Sequence, residues 1–442
     1  MEKINSKKLT EILGISDDII DVDINNVVFN SKDVDDSSLF IAIKGEHTDG
    51  HKFATECIKN GCPLVVVDHY IDNIPKNRQL VVSDTIKAYG KIGAYNRSLY
   101  KGTLIGITGS AGKTSTKEMI KLVLSEFGKT YATNNNQNNF IGVPLTLCNL
   151  DMNSDYAIVE MGTSSCGEIS YLVDLVKPNV ALITNIFPMH IEYFNSVEEI
   201  AQEKANIFKG LNGNKKIAII NEDSICSDIL MNEAKKYTDN IFSYGENNQP
   251  NIEFSICDDG EQYKYYAWCA LSVVKSLGLD ITRAAEKIKE FTPLKGRGKK
   301  YCLNIKNGKY TLIDDSYSGQ PASMLLGLKS LDKLYCKGKK IAVLGKMAEL
   351  GKHSQQYHIE VGKELAKSSI NTVIGVCPET KDILEQLPNS MNKYYFENNE
   401  GLADFLLNEI IKDGDVVFIK GAHYSSRVFE TAEKLIERGA DK

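Results

Sequence analysis

Short apolar runs rich in Val, Ile and Leu recur along this chain of 442 residues, and amphipathic segments separate them. Continuous apolar runs are typical of parallel strands, because helices cover both faces of such a sheet. The alternation therefore predicts an α/β protein built from parallel sheets. The candidate strands are residues 38–43 (SLFIAI), 63–67 (PLVVV), 103–108 (TLIGIT), 156–160 (YAIVE), 179–184 (NVALIT), 216–220 (KIAII), 310–314 (YTLID), 340–344 (KIAVL), 371–376 (NTVIGV) and 415–420 (DVVFIK).

The pattern divides into three blocks, in line with the roughly 150 residues expected per domain. We predict domains at residues 1–82, 83–296 and 297–442. The last boundary rests on Pro293 and on the glycines of the GRG sequence that follows it. Apolar spacing of three to four residues predicts the helices. They are expected near residues 51–60, at 84–99, after the strand at 103–108, from 196, from 321 and near 353–368.

Composition and charge narrow the class of protein. Lys and Arg number 52 against 58 Asp and Glu, so the net charge is −6. This balance argues against a nucleic-acid partner, which needs a basic face. The ten cysteines form no CxxC pair, and the amino-terminal segment lacks the apolar core of a signal peptide. No run reaches the ~18 apolar residues of a membrane span, so we expect a reduced, cytoplasmic protein.

The sequence GITGSAGKTSTKEMIKLVL at 106–124 is the strongest chemical signal. A strand, a Gly-rich turn and a helix in this order cradle phosphates with backbone N–H groups and the helix dipole. Lys113 is placed to reach the β- and γ-phosphates, and Thr114 to give its hydroxyl to Mg²⁺. Ile107 stands where the strict Walker pattern has Gly, and Gly128 is the expected end of the helix. The predicted phosphate contacts are Thr108, Gly109, Ser110, Ala111, Gly112, Lys113, Thr114 and Ser115.

Polar side chains stand where other predicted strands end. Glu160 closes YAIVE, Asn185 follows the strand at 179–184, and Asp315 follows YTLID. In a parallel sheet these carboxyl ends face the ligand crevice, where a carboxylate can hold Mg²⁺. Beyond Asn185, a loop carries His190 and a helix carries Lys204. Each of these residues, taken alone, also fits an ordinary structural role.

Taken together, the motifs resemble those of the Mur ligase family, the ATP-dependent amide ligases of peptidoglycan precursor synthesis. Besides the phosphate loop they are SLFIAIKGEHTDGHKFATECIKNGC (38–62), IGVPLTL (141–147), EMGTSSCGEI (160–169), ITNI (183–186), DDSY (314–317), VLGKMAELG (343–351) and IKGAH (419–423). Their common order is more specific than any single motif. The resemblance implies three domains: a small α/β uridine-nucleotide-binding-like domain, a central P-loop ATPase-like parallel sheet and a Rossmann-like carboxyl-terminal domain.

The resemblance also implies a reaction. ATP activates a carboxylate as an acyl phosphate, which an amine then attacks, and the implied product joins D-alanyl-D-alanine to a UDP-N-acetylmuramoyl tripeptide. By the same resemblance, Lys113 holds the phosphates, and Thr114, Glu160 and His190 bind Mg²⁺, expected as two ions. Lys204 matches the lysine that takes up CO₂ as a carbamate and supports the metal. We expect a monomer whose partners are these small molecules.

Other carried-over residues contact nucleotide or substrate. Arg297 matches a nucleotide contact at the hinge between domains, and Asp315 matches a ribose contact, while Asn185 completes the cofactor-binding set. The predicted substrate contacts are Ser31, Lys32, Lys44, Gly45, Asn136, Asn138, Asn139, Thr163 and Ser164.

Several positions depart from the family pattern. They are Lys32 for Arg, Asn135 for Gly, Tyr266 for an Asn that contacts adenine, Ser318 and Gln320 for Asn, Lys346 for Asp, and His423 for Arg. These changes leave open the preferred base and the amine substrate. One alternative is a divergent paralogue that joins another amine to another acid. A second is a non-catalytic nucleotide-binding partner, against which the joint presence of Glu160, His190 and Lys204 argues.

Overall fold

The computed structural model describes residues 1–45, 48–189, 191–256 and 260–439. Its amino-terminal unit holds a parallel sheet of four strands and a two-stranded antiparallel ribbon. The elements are β1 (Ile4–Asn5), α1 (Ser6–Leu13), β2 (Asp23–Ile24), β3 (Asn26–Val28), β4 (Ser38–Ile41), α2 (His51–Lys59), β5 (Leu64–Val67), β6 (Gln79–Val81) and α3 (Thr85–Leu99). The ribbon pairs β1 with β2, and the sheet runs β3-β4-β5-β6.

Helix α3 joins this unit to the next. Tyr89 and Ile92 pack in the core of the first sheet. Near the helix end, the buried Arg97 donates a hydrogen bond of 2.8 Å to the carbonyl oxygen of Val176 in the central unit. Because the helix contacts both units, the domain boundary at residue 82 stays a prediction.

The central unit is a sheet of six parallel strands. Its elements are β7 (Thr103–Thr108), α4 (Lys113–Leu124), β8 (Thr130–Ala132), α5 (Gly142–Cys148), β9 (Tyr156–Glu160), α6 (Glu168–Val176), β10 (Val180–Ile183), α7 (Val197–Ala205), β11 (Ile217–Asn221), α8 (Ser227–Ala234), β12 (Ile241–Tyr244), α9 (Glu261–Ser276) and α10 (Ile281–Ile288). The order β12-β11-β10-β7-β9-β8 places β7 between β10 and β9. The ends of these three strands, which carry the predicted phosphate and metal residues, therefore meet at one edge.

The carboxyl-terminal unit has a second sheet of six strands. Its elements are β13 (Lys299–Ile305), β14 (Gly308–Asp315), α11 (Pro321–Lys333), β15 (Lys340–Gly345), α12 (Ser354–Leu365), β16 (Thr372–Val376), α13 (Lys381–Glu385), β17 (Asn392–Phe396), α14 (Leu402–Phe405), β18 (Val416–Lys420), α15 (His423–Ser426) and α16 (Phe429–Gly439). The order is β13-β14-β18-β15-β16-β17, and only β13 runs antiparallel to its neighbour. The register sets Asp315 beside Lys420.

Every predicted strand is present, with ends shifted by at most two residues. The strands that were not predicted are β1, β2, β3, β6, β8, β12, β13 and β17. Those of the two six-stranded sheets lie at sheet edges, and the side chains of β13 and β17 are largely half-exposed and show no apolar run. The predicted helix end at Gly128 was wrong. Helix α4 ends at Leu124, and Ser125 follows it in a right-handed conformation. Within the described ranges, no helix has the length and apolar character needed to cross a membrane.

Candidate active site

The phosphate loop follows β7 at the centre of the sheet. Gly109 and Gly112 have φ angles of 148° and 76°, a region that side chains disfavour. A Cβ atom on Gly112 would lie 2.6 Å from the ring of Tyr266, so this position has no room for a side chain. The sequence thus places glycine where the backbone turns into helix α4.

Asn185, at the end of β10, fastens the loop from its neighbouring strand. Its side-chain oxygen accepts a hydrogen bond of 2.8 Å from the Ala111 N–H, and its amide donates to the Ala111 carbonyl at 3.0 Å. The backbone N–H of Ser110 donates to the Asn185 carbonyl at 2.9 Å. In the structure Asn185 therefore shapes the loop, and its contact with a cofactor stays a prediction.

Lys113 begins helix α4 and lies against its own loop. Its ammonium donates to the carbonyl oxygens of Gly109 at 2.7 Å and Ser110 at 3.2 Å. Burial lowers the pKa of Lys113 below its ordinary value of 10.5, against the attraction of Glu160. The ammonium is thus held at the position where an incoming phosphate would compete for its protons.

The Glu160 carboxylate is buried beside the loop, with 1% of the residue exposed. Its Oε1 accepts hydrogen bonds from the Thr114 hydroxyl at 3.2 Å and the Asn138 amide at 2.8 Å. Its Oε2 makes no hydrogen bond within the described part of the chain. A buried carboxylate oxygen without a donor, next to a hydroxyl, matches the hard oxygen ligands that Mg²⁺ prefers. These residues therefore fit the metal that the sequence predicts.

Lys204 lies on helix α7 with 2% of the residue exposed. Its ammonium forms no hydrogen bond or ion pair with any residue that the structure describes. Burial lowers the pKa of Lys204 well below its ordinary value of 10.5, and the like charge of Lys113 lowers it further. A buried lysine in these surroundings favours the neutral amine. His190, the other predicted catalytic and metal residue of this region, lies outside the described residues.

The carboxyl-terminal unit contributes the opposite wall. The Arg297 guanidinium lies 4.1 Å from the centre of the Tyr317 ring, a cation–π contact. The Asp315 carboxylate accepts a hydrogen bond of 2.6 Å from the Lys420 ammonium. Both predicted nucleotide contacts thus have fixed positions.

A cleft of about 780 Å³ separates the two walls and is large enough for a nucleotide-sized ligand. It brings together most of the predicted residues, while Thr108, Gly109, Asn185 and Lys204 lie behind its surface. The predicted residues that line it are Ser110, Ala111, Gly112, Lys113, Thr114, Ser115, Asn136, Asn138, Asn139, Glu160, Thr163, Ser164, Arg297 and Asp315.

The predicted asparagine contacts differ in how free they are. Asn136 is exposed at the cleft. Asn138 already donates to Glu160, and the side-chain oxygen of Asn139 accepts from the N–H of Gly142 at 2.9 Å, where α5 begins. Part of the hydrogen-bonding capacity of these asparagines is therefore already used within the protein.

Four predicted substrate residues lie elsewhere. Ser31 and Lys32 form a turn after β3, and Lys44 and Gly45 follow β4. All four stand at the carboxyl edge of the first sheet and are not among the residues that line the cleft. Any ligand that contacts both sets must extend across two domains.

Near these residues, His51, Asp68 and His69 place three possible metal-ligand atoms close together. The Nε2 atom of His51 already accepts a hydrogen bond of 3.2 Å from the Asp68 N–H, and Nδ1 contacts Asp49 at 2.7 Å. Both ring nitrogens of His51 therefore already have partners, and we interpret the cluster as structural.

Lys117, Tyr317 and Glu349 were not predicted as site residues, although the recognised motifs contain all three. Tyr317 and Glu349 line the cleft from the carboxyl-terminal unit, and only the fold brings them there. Lys117, which is 0% exposed, lies three residues after Thr114 on the same side of α4. That helical spacing was the available signal.

Family models match the chain in three segments. They are "Mur ligase family, catalytic domain" at residues 23–96, "Mur ligase middle domain" at 107–277 and "Mur ligase, glutamate ligase domain" at 302–423. The chain belongs to the Mur ligase family.

Relatives extend this similarity over the whole chain. The UDP-N-acetylmuramoyl-tripeptide–D-alanyl-D-alanine ligase of Rickettsia prowazekii is 34% identical, over 95% of this chain and 96% of that protein. The ligase of the same name from Escherichia coli is 30% identical over 99% and 100%. Among crystal structures, MurF from Acinetobacter baumannii has a TM-score of 0.89 at 27% identity, covering 99% of both chains. MurF from Thermotoga maritima in complex with ADP has a TM-score of 0.78 at 26% identity, covering 93% of this chain and 98% of that one.

These matches confirm the family resemblance, the three-domain α/β fold and the ligase class predicted from the sequence. The individual site residues and the domain boundaries stay predictions.

Proposed function

We propose that this protein is an ATP-dependent, ADP-forming amide ligase that adds D-alanyl-D-alanine to a UDP-N-acetylmuramoyl tripeptide in peptidoglycan precursor synthesis. The observation that carries the proposal is the buried Glu160 carboxylate beside Thr114 at the phosphate loop. The names of the full-length relatives support the pair of substrates.

The reaction consists of two displacements. A carboxylate oxygen of the acid substrate attacks the γ-phosphorus of ATP, the bond to the β–γ bridging oxygen breaks, and ADP leaves as an acyl phosphate forms. The amine then attacks the acyl carbon, and the tetrahedral intermediate loses inorganic phosphate and a proton to give the amide. Because these steps mainly redistribute negative charge, positioning and charge neutralisation supply most of the rate.

The phosphate loop and Lys113 hold the triphosphate in this proposal. Phosphate oxygens replace the carbonyl oxygens of Gly109 and Ser110 as acceptors for the Lys113 ammonium, which strengthens each bond because both partners are then charged. Arg297 and Asp315 hold the nucleotide from the opposite wall. The two domains together exclude water from the acyl phosphate.

Thr114 and Glu160 are proposed to hold one Mg²⁺ and His190 to contribute to a second. Bound magnesium neutralises charge on the phosphoryl group during transfer. Lys204 is proposed to carry a carbamate, which forms when the neutral amine nitrogen bonds the carbon of CO₂ and releases a proton to solvent. The lowered pKa of the buried Lys204 favours that neutral form, and the carbamate supplies an anion that suits a neighbouring metal.

The first domain is proposed to bind the uridine nucleotide part of the acid substrate at Ser31, Lys32, Lys44 and Gly45. Their position at one sheet edge supports this role, since ligands of parallel sheets bind at the carboxyl ends of the strands. We further propose that the protein acts as a monomer in the cytoplasm.

The test is a phosphate-release assay with purified protein, ATP and the UDP-N-acetylmuramoyl tripeptide, against a panel of amines and with or without bicarbonate. We expect ADP and phosphate only when D-alanyl-D-alanine is present, and a product mass equal to the sum of both substrates less water. Release of phosphate with another amine but not with this dipeptide contradicts the assignment.

A divergent ligase for another amine is the second candidate. Ser318, Gln320 and His423 line the cleft and are three of the positions where this chain departs from the family pattern. The same assay separates the two, because the divergent enzyme releases phosphate fastest with a different amine. Absence of ADP formation with every acid and amine would instead indicate the non-catalytic nucleotide-binding partner.

A further inference from the structure

Lys117 is a fully buried lysine at the carboxyl edge of the central sheet. Its ammonium donates hydrogen bonds to the carbonyl oxygens of Thr133 at 2.5 Å and Asn135 at 3.0 Å. A buried ammonium is costly unless its protons are bonded. These two bonds therefore fix the path of the chain just after β8.

The segment whose carbonyl oxygens bond Lys117 continues to Asn138, which contacts Glu160. Asn135 has a φ of 48°, a left-handed conformation that is uncommon for residues other than glycine. Three residues later, the amide of Asn138 donates to Oε1 of Glu160 at 2.8 Å. By bonding the Asn135 carbonyl, Lys117 stabilises the backbone conformation from which Asn138 reaches the carboxylate.

Lys117 also forms a long ion pair with the second oxygen of Glu160 but donates no hydrogen bond to it. The distance from Nζ to Oε2 is 3.9 Å, too long for a hydrogen bond. The ammonium lies closer to Glu118, at 3.1 Å, and the charge of Glu118 offsets that of Lys117. An incoming cation therefore meets little net repulsion from this pair, and Oε2 stays available to it.

We propose that Lys117 is a positioning residue that preforms the Mg²⁺ site. It holds the segment from Thr133 to Asn138 against Glu160 and leaves one carboxylate oxygen open. The inference rests on the proposed function only in taking Glu160 as a metal ligand. It requires neither the acid nor the amine substrate.

The test measures ADP binding by calorimetry over a range of Mg²⁺ concentrations, together with amide hydrogen exchange of residues 133–139. Lys117→Met keeps the length of the side chain and removes its donors. We expect the Mg²⁺ concentration for half-maximal ADP binding to rise about tenfold or more, as for other residues that orient metal ligands. Exchange in the segment should accelerate at the same time.

Two further variants separate positioning from general stability. Asn135→Gly, added to Lys117→Met, should recover part of the lost Mg²⁺ response, because glycine adopts the left-handed conformation without support. Met119→Ala leaves a cavity in the apolar core beside the same helix. It should lower the melting temperature without changing the Mg²⁺ response.

The proposal is overturned if Lys117→Met lowers the melting temperature as Met119→Ala does but keeps the Mg²⁺ response and exchange of the wild type. Lys117→Arg keeps a buried cation and should fold even if the methionine variant does not. Its larger head group displaces the segment, so we expect a smaller shift in the same direction, and no shift also overturns the proposal. A wild type whose ADP binding ignores Mg²⁺ would refute the metal site itself, a different result.

Discussion

The carboxyl edges of the two six-stranded sheets face one cleft but differ in how their charged groups are paired. In the carboxyl-terminal sheet, Asp315 and Lys420 stand on adjacent strands and pair at 2.6 Å. In the central sheet, one buried oxygen of Glu160 has no hydrogen bond, although the Lys117 ammonium lies 3.9 Å away. Lys204 has no ion-pair partner among the residues that the structure describes.

At one edge the charged groups pair with each other, and at the other a buried carboxylate oxygen has no hydrogen bond. Paired charges satisfy each other when the chain folds, so the Asp315–Lys420 pair has a fixed position before any ligand arrives. Unpaired buried groups destabilise the fold, and proteins retain them mainly where function requires it. We therefore expect a bound ligand to complete the contacts of Glu160 at the central edge.

The largest effect on activity is expected for Glu160, at the carboxyl edge of the central sheet. Glu160→Gln keeps the shape of the side chain and removes its charge, so we expect phosphate release to fall about 1,000-fold, the upper range for losing one group that stabilises the transition state. The measurement is steady-state phosphate release at saturating Mg²⁺.

Asp415→Asn is the matched control for Glu160→Gln. Asp415 is buried in the carboxyl-terminal domain, and its oxygens accept hydrogen bonds from backbone N–H groups of Lys339 and Lys412. We expect this variant to lose stability but to keep its activity within about threefold, since it holds no ligand. Retention of more than a tenth of the activity by Glu160→Gln would remove the contrast between the edges.

A second comparison replaces one lysine in each edge. Lys420→Met removes the ion-pair partner of Asp315, whose side chain is 23% exposed at the cleft, so the free energy of unfolding should fall by about 1 kcal/mol. Lys204→Met removes a buried amine with no described partner, so the same measurement in CO₂-free buffer should show no loss or a gain. Urea unfolding of both variants checks this, and equal losses would contradict it.

A smaller effect, on the preference between nucleotides, is expected in the cleft between the central and carboxyl-terminal units. Tyr266 lies against the phosphate loop and lines the cleft, and burial raises its pKa to about 12, so its hydroxyl stays protonated. A hydroxyl cannot match both the donor and the acceptor of adenine as an amide does. Tyr266→Asn should therefore raise the preference for ATP over GTP, in kcat/KM, about tenfold.

Tyr266→Phe removes only the hydroxyl and serves as the control. It should leave the ratio of ATP to GTP near that of the wild type. A ratio that is equal in the wild type and in Tyr266→Asn would show that position 266 does not read the base.

The smallest effect concerns the stability of the carboxyl-terminal unit in acid. His358 is fully buried and accepts a hydrogen bond of 3.1 Å from the Met347 N–H. Burial lowers the pKa of His358 below its ordinary 6.5. Below pH 6.5 the unfolded chain therefore binds the proton more readily, and the free energy of unfolding falls as the pH drops towards the folded-state pKa.

His358→Gln keeps an acceptor for Met347 but does not titrate. Its free energy of unfolding should change less between pH 7 and pH 5.5 than that of the wild type, as measured by urea unfolding. An identical acid loss in both proteins would place the sensitive group elsewhere.

Local sequence was sufficient for the phosphate loop and for the strand-end residues Glu160 and Asn185. Their positions depend on one strand–loop–helix unit and on the parallel order of neighbouring strands, and apolar runs reveal both. Lys117 was not predicted, because a lysine on a helix is usually solvated and its spacing from Thr114 does not show that it is buried. Tyr317 and Glu349 lie in recognised motifs, but only the fold shows that they line the cleft.

The amino-acid sequence by itself determined the three α/β blocks and the residues at the end of each strand, because strand alternation and glycine turns are short-range properties. Tertiary structure decided which of those ends share a cleft and which charges are paired. Pairing depends on groups far apart in the chain, and burial sets how strongly they interact. Neither property is contained in local spacing.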